Sequence, residues 1–108
     1  MTESLPATAF VRISRATFEP GRFAEVDAMN TKTSEYLIPA VKQLPGLIHF
    51  YACVSPQGQA VHVSVWDTEA HAKQLDTLKE MAVTARAEAE AVGATFHPIV
   101  NYPVGWTI

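Results

Sequence analysis

The charged side chains of this 108-residue chain fall in blocks, and the blocks constrain what it can fold into. From Pro45 to Trp66 there are 22 consecutive residues without Asp, Glu, Lys or Arg, and from Ala94 to Ile108 another 15. The stretch Asp67–Gly93 between them carries nine charges, three basic and six acidic, which equals the whole net charge of −3. Helices with a solvated face carry charge; strands covered on both faces do not need it. The chain therefore divides into uncharged sheet segments separated by charged helical ones.

Local patterns place the elements. Ala7–Thr17, rich in β-branched and aromatic residues and followed by Pro20-Gly21, reads as a strand. Phe23–Leu44 reads as a helix, with Phe23, Val26, Met29, Thr33, Leu37, Ala40, Val41 and Leu44 on one stripe, a kink or the end of its regular part expected at Pro39 and a stop at Pro45-Gly46. Leu47–Val54 and Ala60–Trp66 read as a hairpin around Pro56-Gln57-Gly58. Asp67 is the expected N-cap of a helical region that runs to Gly93 and breaks at Asp76-Thr77. Thr95–Tyr102 closes the series as a strand, with Pro98 marking an edge or bulge. The order βαββαβ predicts an α+β, ferredoxin-like fold: a four-stranded antiparallel sheet with its helices on one face.

Composition narrows the function classes. Apolar residues at 48% and charged ones at 18% fit one compact domain over residues 1–108, with 1–6 as a flexible lead-in. Eight basic residues against eleven acidic ones form no basic cluster, so neither nucleic acid nor an anionic membrane is an expected partner. A single cysteine, Cys53, excludes an internal disulfide and a four-cysteine zinc site and fits a reducing compartment. No signal peptide is read in Met1–Phe10 and no apolar run approaches a membrane span, so a cytoplasmic protein is expected. His49, His62, His71 and His97 show no ligand spacing, and no metal is expected. Cys53 is expected to be an inert, buried thiol.

Two helical regions cover one sheet face and leave the other bare. With position 57 pairing 58 in the hairpin, Val61, Val63 and Val65 share that bare face with Ile48, Phe50, Ala52 and Val54. So large an aliphatic face calls for a second copy packed sheet against sheet, and a symmetric homodimer is expected. The same pairing sets His49, Tyr51 and Cys53 beside His62, Ser64 and Trp66 on the helix-facing side. Arg12 and Ser14 join them if Val11 and Ile13 belong to the aliphatic face. A helix-facing surface of His, Tyr, Trp, Ser and Arg suits a small aromatic ligand, although Trp and Tyr also serve as plain core.

Leu44-Pro45-Gly46-Leu47, followed by Val63-Ser64-Val65-Trp66-Asp67-Thr68-Glu69-Ala70, resembles the antibiotic biosynthesis monooxygenase family, in which a helix ends in Pro-Gly and a strand closes in Trp before Glu-Ala. The likeness spans about residues 9–102 in element order. It implies a dimeric α+β barrel. For the family's cofactor-free members, which oxidise a phenolic ring to a quinone, it implies an active-site tryptophan at Trp66 and an arginine at Arg86. Their strand asparagine would be His62, and their tyrosine would be Ala72, with His71 adjacent. For the haem-degrading members, Ser14 stands in place of their asparagine and 82–91 offers no haem-ligating histidine, which disfavours that activity.

The resulting expectation is a monooxygenase acting with O2, and without cofactor, on a small electron-rich phenol or hydroquinone. His62 is the expected base, Arg86 the oxyanion partner and Trp66 the stacking surface. Arg12, Ser14, His49, Tyr51, Ser64 and His71 are the expected lining. The competing expectation is a non-catalytic dimeric ligand-binding or stress-response module on the same fold.

Overall fold

A computed structural model describes residues 5–108, so most of the lead-in expected at 1–6 lies outside the described residues. β1 (Phe10–Thr17) leads through a 3-10 turn at Pro20–Arg22 into α1 (Phe23–Lys42), then the hairpin of β2 (Leu47–Ser55) and β3 (Gln59–Trp66). The second helical region begins with α2 (Glu69–Ala72) and a 3-10 turn, Lys73–Asp76. After a break at Thr77 and Leu78 it continues through a π-helical turn, Glu80–Ala85, into α3 (Arg86–Ala91). The last strand comes in two pieces, β4 (Thr95–Phe96) and β5 (Val100–Pro103), both antiparallel to β1 and separated around Pro98, which cannot donate to the ladder. The sheet order β2-β3-β1-β4 is the ferredoxin-like one, with β5 extending the β4 edge along β1.

The elements follow local chemistry with two departures. The stripe on α1 is real, since Val26, Thr33, Leu37 and Val41 are its buried residues, and the helix carries Pro39 within it as far as Lys42. Thr68, not Asp67, caps α2: its Oγ1 accepts from the His71 backbone N–H at 3.1 Å. Asp67 instead holds the His71 ring, Oδ1 to Nδ1 at 2.6 Å, and its own N–H donates to the Gly46 carbonyl. The pair Glu88 and Glu90, among alanines, reads in the sequence as a plain solvated helix face, and Glu88 departs from it. It accepts from the Tyr36 hydroxyl and lies 3.5 Å from Lys32 Nζ, joining α3 to α1. Burial and then that hydrogen bond hold the Tyr36 phenol up at about 12.

The β1–β3 register matches expectation. Ser14 faces His62, Arg12 faces Ser64 and Phe10 faces Trp66 on the helix side, while Val11 and Ile13 face Val65 and Val63 on the other. The β2–β3 register does not. Ser55 pairs with Gln59, Phe50 with Ser64, Ala52 with His62 and Tyr51 with Val63. Pro56-Gln57-Gly58 forms a three-residue loop closed by the pair Ser55–Gln59, so 57 does not pair with 58; that one-residue difference exchanges the faces of β2 from His49 onward, and a bulge between Leu47 and His49 shifts the register again. Phe50, Ala52 and Val54 therefore point toward the helices. His49, Tyr51 and Cys53 sit on the bare face with Val61, Val63 and Val65, and the cysteine expected to be buried is exposed.

Gly58 sets this parity. Its φ of +100° supplies the left-handed residue that closes a three-residue hairpin loop. Its carbonyl accepts from the Phe18 N–H at 3.0 Å, and a Cβ there would lie 2.5 Å from the Phe18 carbonyl oxygen. Gly58→Ala is expected to cost about 2–3 kcal/mol through left-handed strain and that backbone clash. A melt should read this as a drop of ~10–20 °C for a domain this size; an unchanged melting temperature would show that the loop has another conformation open to it.

The core is divided. One cluster gathers Val41, Trp66, Ala72 and Leu75, with Leu47, Phe50 and Met81 against it; the other gathers Ala16, Ala89 and Ala94, with Met29, Ala60 and Phe96. Among the described residues no helix is long and apolar enough to cross a membrane.

Candidate functional site

Between α1, the sheet and the second helical region lies a cavity of about 350 Å3. Members of both core clusters wall it: Leu75 and Met81 from one, Ala16, Met29, Ala60, Ala89, Ala94 and Phe96 from the other. Side-chain size explains the space. Ala82, Ala85 and Ala89 face Ala16 and Ala60 across it, and the π-helical turn at Glu80–Ala85 widens the helix where it passes over the sheet. A second hollow of about 310 Å3, between α1 and β2, shares Asn30, Thr33, Leu37 and His62 with the first.

Four expected site residues meet in the larger cavity: Arg12, Ser14, His62 and Arg86. Ser14 and His62 are cross-strand neighbours on β1 and β3, and Arg12 is two residues from Ser14 on the same face. The His62 ring is tilted on Phe50, with centroids 5.3 Å apart. Burial lowers its pKa from the ordinary 6.5, so the imidazole is neutral at pH 7 with a nitrogen lone pair available. Arg86, at the first turn of α3, stacks its guanidinium 4.8 Å from the Phe96 ring centre, and its Nε lies 3.6 Å from Glu90. Arg12 is 4% exposed and donates from Nη2 to Asp76 Oδ1 at 2.6 Å; its Nη1 is buried without a partner among the described residues.

The remaining expected residues are placed elsewhere. Trp66 has no exposed surface; its indole N–H donates to Ser64 Oγ at 2.8 Å, and its ring packs against Val41, Ala72 and Leu75. Neither Trp66 nor Ser64 lines the cavity, so the expected stacking face is not presented to a guest. His49 and Tyr51, stacked on each other at 6.0 Å, are on the far side of the sheet because of the hairpin parity. His71 is held by Asp67 beneath the Pro45-Gly46 turn. Lining residues that the sequence did not nominate for the site are Asn30, next to Met29 of the α1 stripe, Thr33, the polar member of that stripe, and Asp76 at the helical break. A polar pair on a buried helix face is the signal that could have found the first two.

Burial of His62 has a consequence for stability. Below pH 6.5 the unfolded chain takes up a proton that folded His62 resists, so its contribution is complete above that pH and is lost as pH falls through the lower folded value. Denaturant titrations from neutral to mildly acid pH are expected to show a loss that His62→Gln removes; an identical slope in both proteins would place the acid sensitivity on another group.

No family model matches the chain, and no curated protein matches it significantly. Solved structures do. SnoaB, a cofactor-independent oxygenase from Streptomyces nogalater, superposes with a TM-score of 0.64 at 15% identity, covering 94% of this chain and 98% of that one. A protein of Deinococcus radiodurans assigned to the antibiotic biosynthesis monooxygenases gives 0.69 at 14% identity, over 92% and 95% of the two chains. The chain has the fold of the antibiotic biosynthesis monooxygenases. A dimeric ferredoxin-like protein from an uncultured marine organism shares it too, with a TM-score of 0.69 at 17% identity over 94% of this chain and 91% of the other.

Proposed function

We propose that this protein is a monooxygenase of the antibiotic biosynthesis type that oxidises a small electron-rich phenol or hydroquinone with O2, without cofactor. The observation that carries the reading is the cavity of about 350 Å3 with the His62 imidazole and two guanidinium groups in otherwise largely apolar walls. An imidazole nitrogen of His62 accepts the phenol proton. The phenolate passes one electron to O2, and the resulting radical pair forms a C–O bond. The ring peroxide then loses water, with the proton returned from His62, and leaves a carbonyl. Phenol plus O2 becomes quinone plus water, and the ring supplies every electron. Arg86 stabilises the phenolate and superoxide charge from the rim of the cavity, and Ser14 orients the substrate hydroxyl beside His62. The alanine and aliphatic walls keep the charged species from bulk water.

A second copy of the chain is the natural cover for the bare sheet face. Val11, Ile13, Val61, Val63 and Val65 lie there with the exposed Tyr51, Val100 and Tyr102. The dimeric ferredoxin-like neighbour favours the same arrangement.

Oxygen uptake with a panel of hydroquinones and naphthols, against heat-denatured protein, is the test. Uptake that scales with protein and yields a quinone chromophore is expected. Binding of the same compounds without uptake would move the protein to the non-catalytic ligand-binding reading, which the withdrawn Trp66 and the small Ala72 favour.

A further inference from the structure

The segment that follows β5 has the pattern of a strand that its own sheet does not use. Val104, Trp106 and Ile108 alternate with Gly105 and Thr107, so an extended chain carries three apolar side chains on one side. Val104 still touches the sheet, its N–H donating to the Ala9 carbonyl at 3.0 Å, but Trp106 is 80% exposed and Ile108 fully so. The hollow of about 310 Å3 between α1 and β2 is the complementary surface. Leu37, Ile38 and Val41 wall it from the helix and Leu47, Phe50 and Ala52 from the strand, and Ile38 is itself exposed. Among the described residues Lys42 is the one Lys, Arg, Asp or Glu on its walls, so an apolar occupant fits it. The inference rests on the sheet-on-sheet dimer: we propose that Val104–Ile108 of each copy crosses to the other and seats Trp106 in this hollow. An indole is among the side chains that most often anchor an interface between chains.

Topology favours exchange over folding back. Pro103, Phe10, Trp66 and Leu47 form one row across β5, β1, β3 and β2. The segment therefore leaves the sheet at the end where Val41, Lys42 and Leu47 line the hollow, but at the opposite edge. Within one chain β1 and β3 stand between, three strand spacings or about 14 Å. Trp106, three residues beyond Pro103, spans about 10 Å at full extension, so its backbone falls short of its own β2. In a face-to-face pair whose twofold axis runs along the strands, each β5 edge lies over the partner's β2 edge, with the same row at the same end. The step is then the ~10 Å between packed sheets, within that reach. β2 is the free edge of its sheet, so no further strand bars the way round to the hollow. Thr33, Leu37 and His62 line both this hollow and the larger cavity, so the seated indole backs the wall that carries the proposed base.

Trp66, which has no exposed surface, and Trp106 are the two tryptophans of the chain, and this gives a direct reading. Sedimentation and iodide quenching of tryptophan emission are to be measured on the same samples at micromolar concentration. A dimer with both indoles shielded from iodide is expected. Ile38→Glu, which sets a charge at the exposed rim of the hollow, is expected to open a quenchable component that Trp106→Phe, added to it, removes. Should Ile38→Glu fail to fold, Ser34→Phe narrows the same hollow and is expected to do the same. Trp106→Ser is expected to weaken the dimer at least about tenfold, since each dimer loses two anchors. A native dimer whose Trp106 is open to iodide overturns the exchange and keeps the dimer. A monomer overturns both, and one with Trp106 shielded shows that the segment has folded back on its own chain. Shielding that survives both hollow variants places the indole on another surface and overturns the assignment. Neither readout uses turnover, so the oxygenase reading stands or falls separately, by oxygen uptake.

Discussion

His62→Ala is expected to slow oxygen uptake at least tenfold, since a positioned base contributes about 10^2–10^4-fold. His62 is the one group among Arg12, Ser14, Arg86 and itself that can take a proton at neutral pH, since a guanidinium is already fully protonated and a serine hydroxyl is a poor base. Its burial lowers its pKa, so the acid limb of the rate profile in the native protein should fall below pH 6.5 and be absent from the variant. Added imidazole, small enough to enter the space vacated, should restore part of the lost rate in His62→Ala and none in the native enzyme. Sedimentation should report the same assembly for both. Turnover in His62→Ala equal to the native value would take the residue out of the chemistry and leave the phenol to ionise without protein help.

Trp66→Ala is expected to act on stability instead. The ring is wholly enclosed by Val41, Ala72, Leu75 and their neighbours, so its removal should cost about 3–5 kcal/mol and lower the melting temperature on the order of 20 °C. Trp66→Phe keeps much of the packing but loses the donor to Ser64 and part of the ring volume, together a loss of about 1–3 kcal/mol. Its turnover, measured well below its melting temperature, should stay within about threefold of native, because a ring with no exposed surface has no contact with the guest to lose. Abolished turnover in a Trp66→Phe protein that melts like the native one would mean that the indole reaches the substrate after all, through a rearrangement on binding. The tryptophan that the family resemblance nominates as a stacking surface is here a pillar at the C-terminal end of β3, and the two variants separate those roles.

Much of this molecule is legible along the chain. Uncharged Pro45–Trp66 becomes the hairpin, charged Asp67–Gly93 becomes the helical cover, and the break at Asp76-Thr77 falls where the helical region gives way at Thr77 and Leu78. These follow from periodicity and turn chemistry, which act over a few residues and therefore leave their mark locally. Alternation on β1 and β3 also shows that Arg12, Ser14 and His62 share a face, because the side-chain period of a strand is two wherever the strand lies. What the chain by itself did not determine is which face of β2 joins them. That depends on where the turn is centred: the pair Ser55–Gln59 closes it over Pro56-Gln57-Gly58, and the Gly58 carbonyl accepts from the Phe18 N–H, far away in sequence. His49 and Tyr51 leave the site for that reason alone. Nor does spacing reveal the cavity. It exists because small side chains on α3, the π-helical turn and the sheet meet across a gap, and because Arg12 reaches Asp76 over 64 residues of sequence; both are properties of packing in three dimensions, where volume and charge are summed over segments that never touch along the chain.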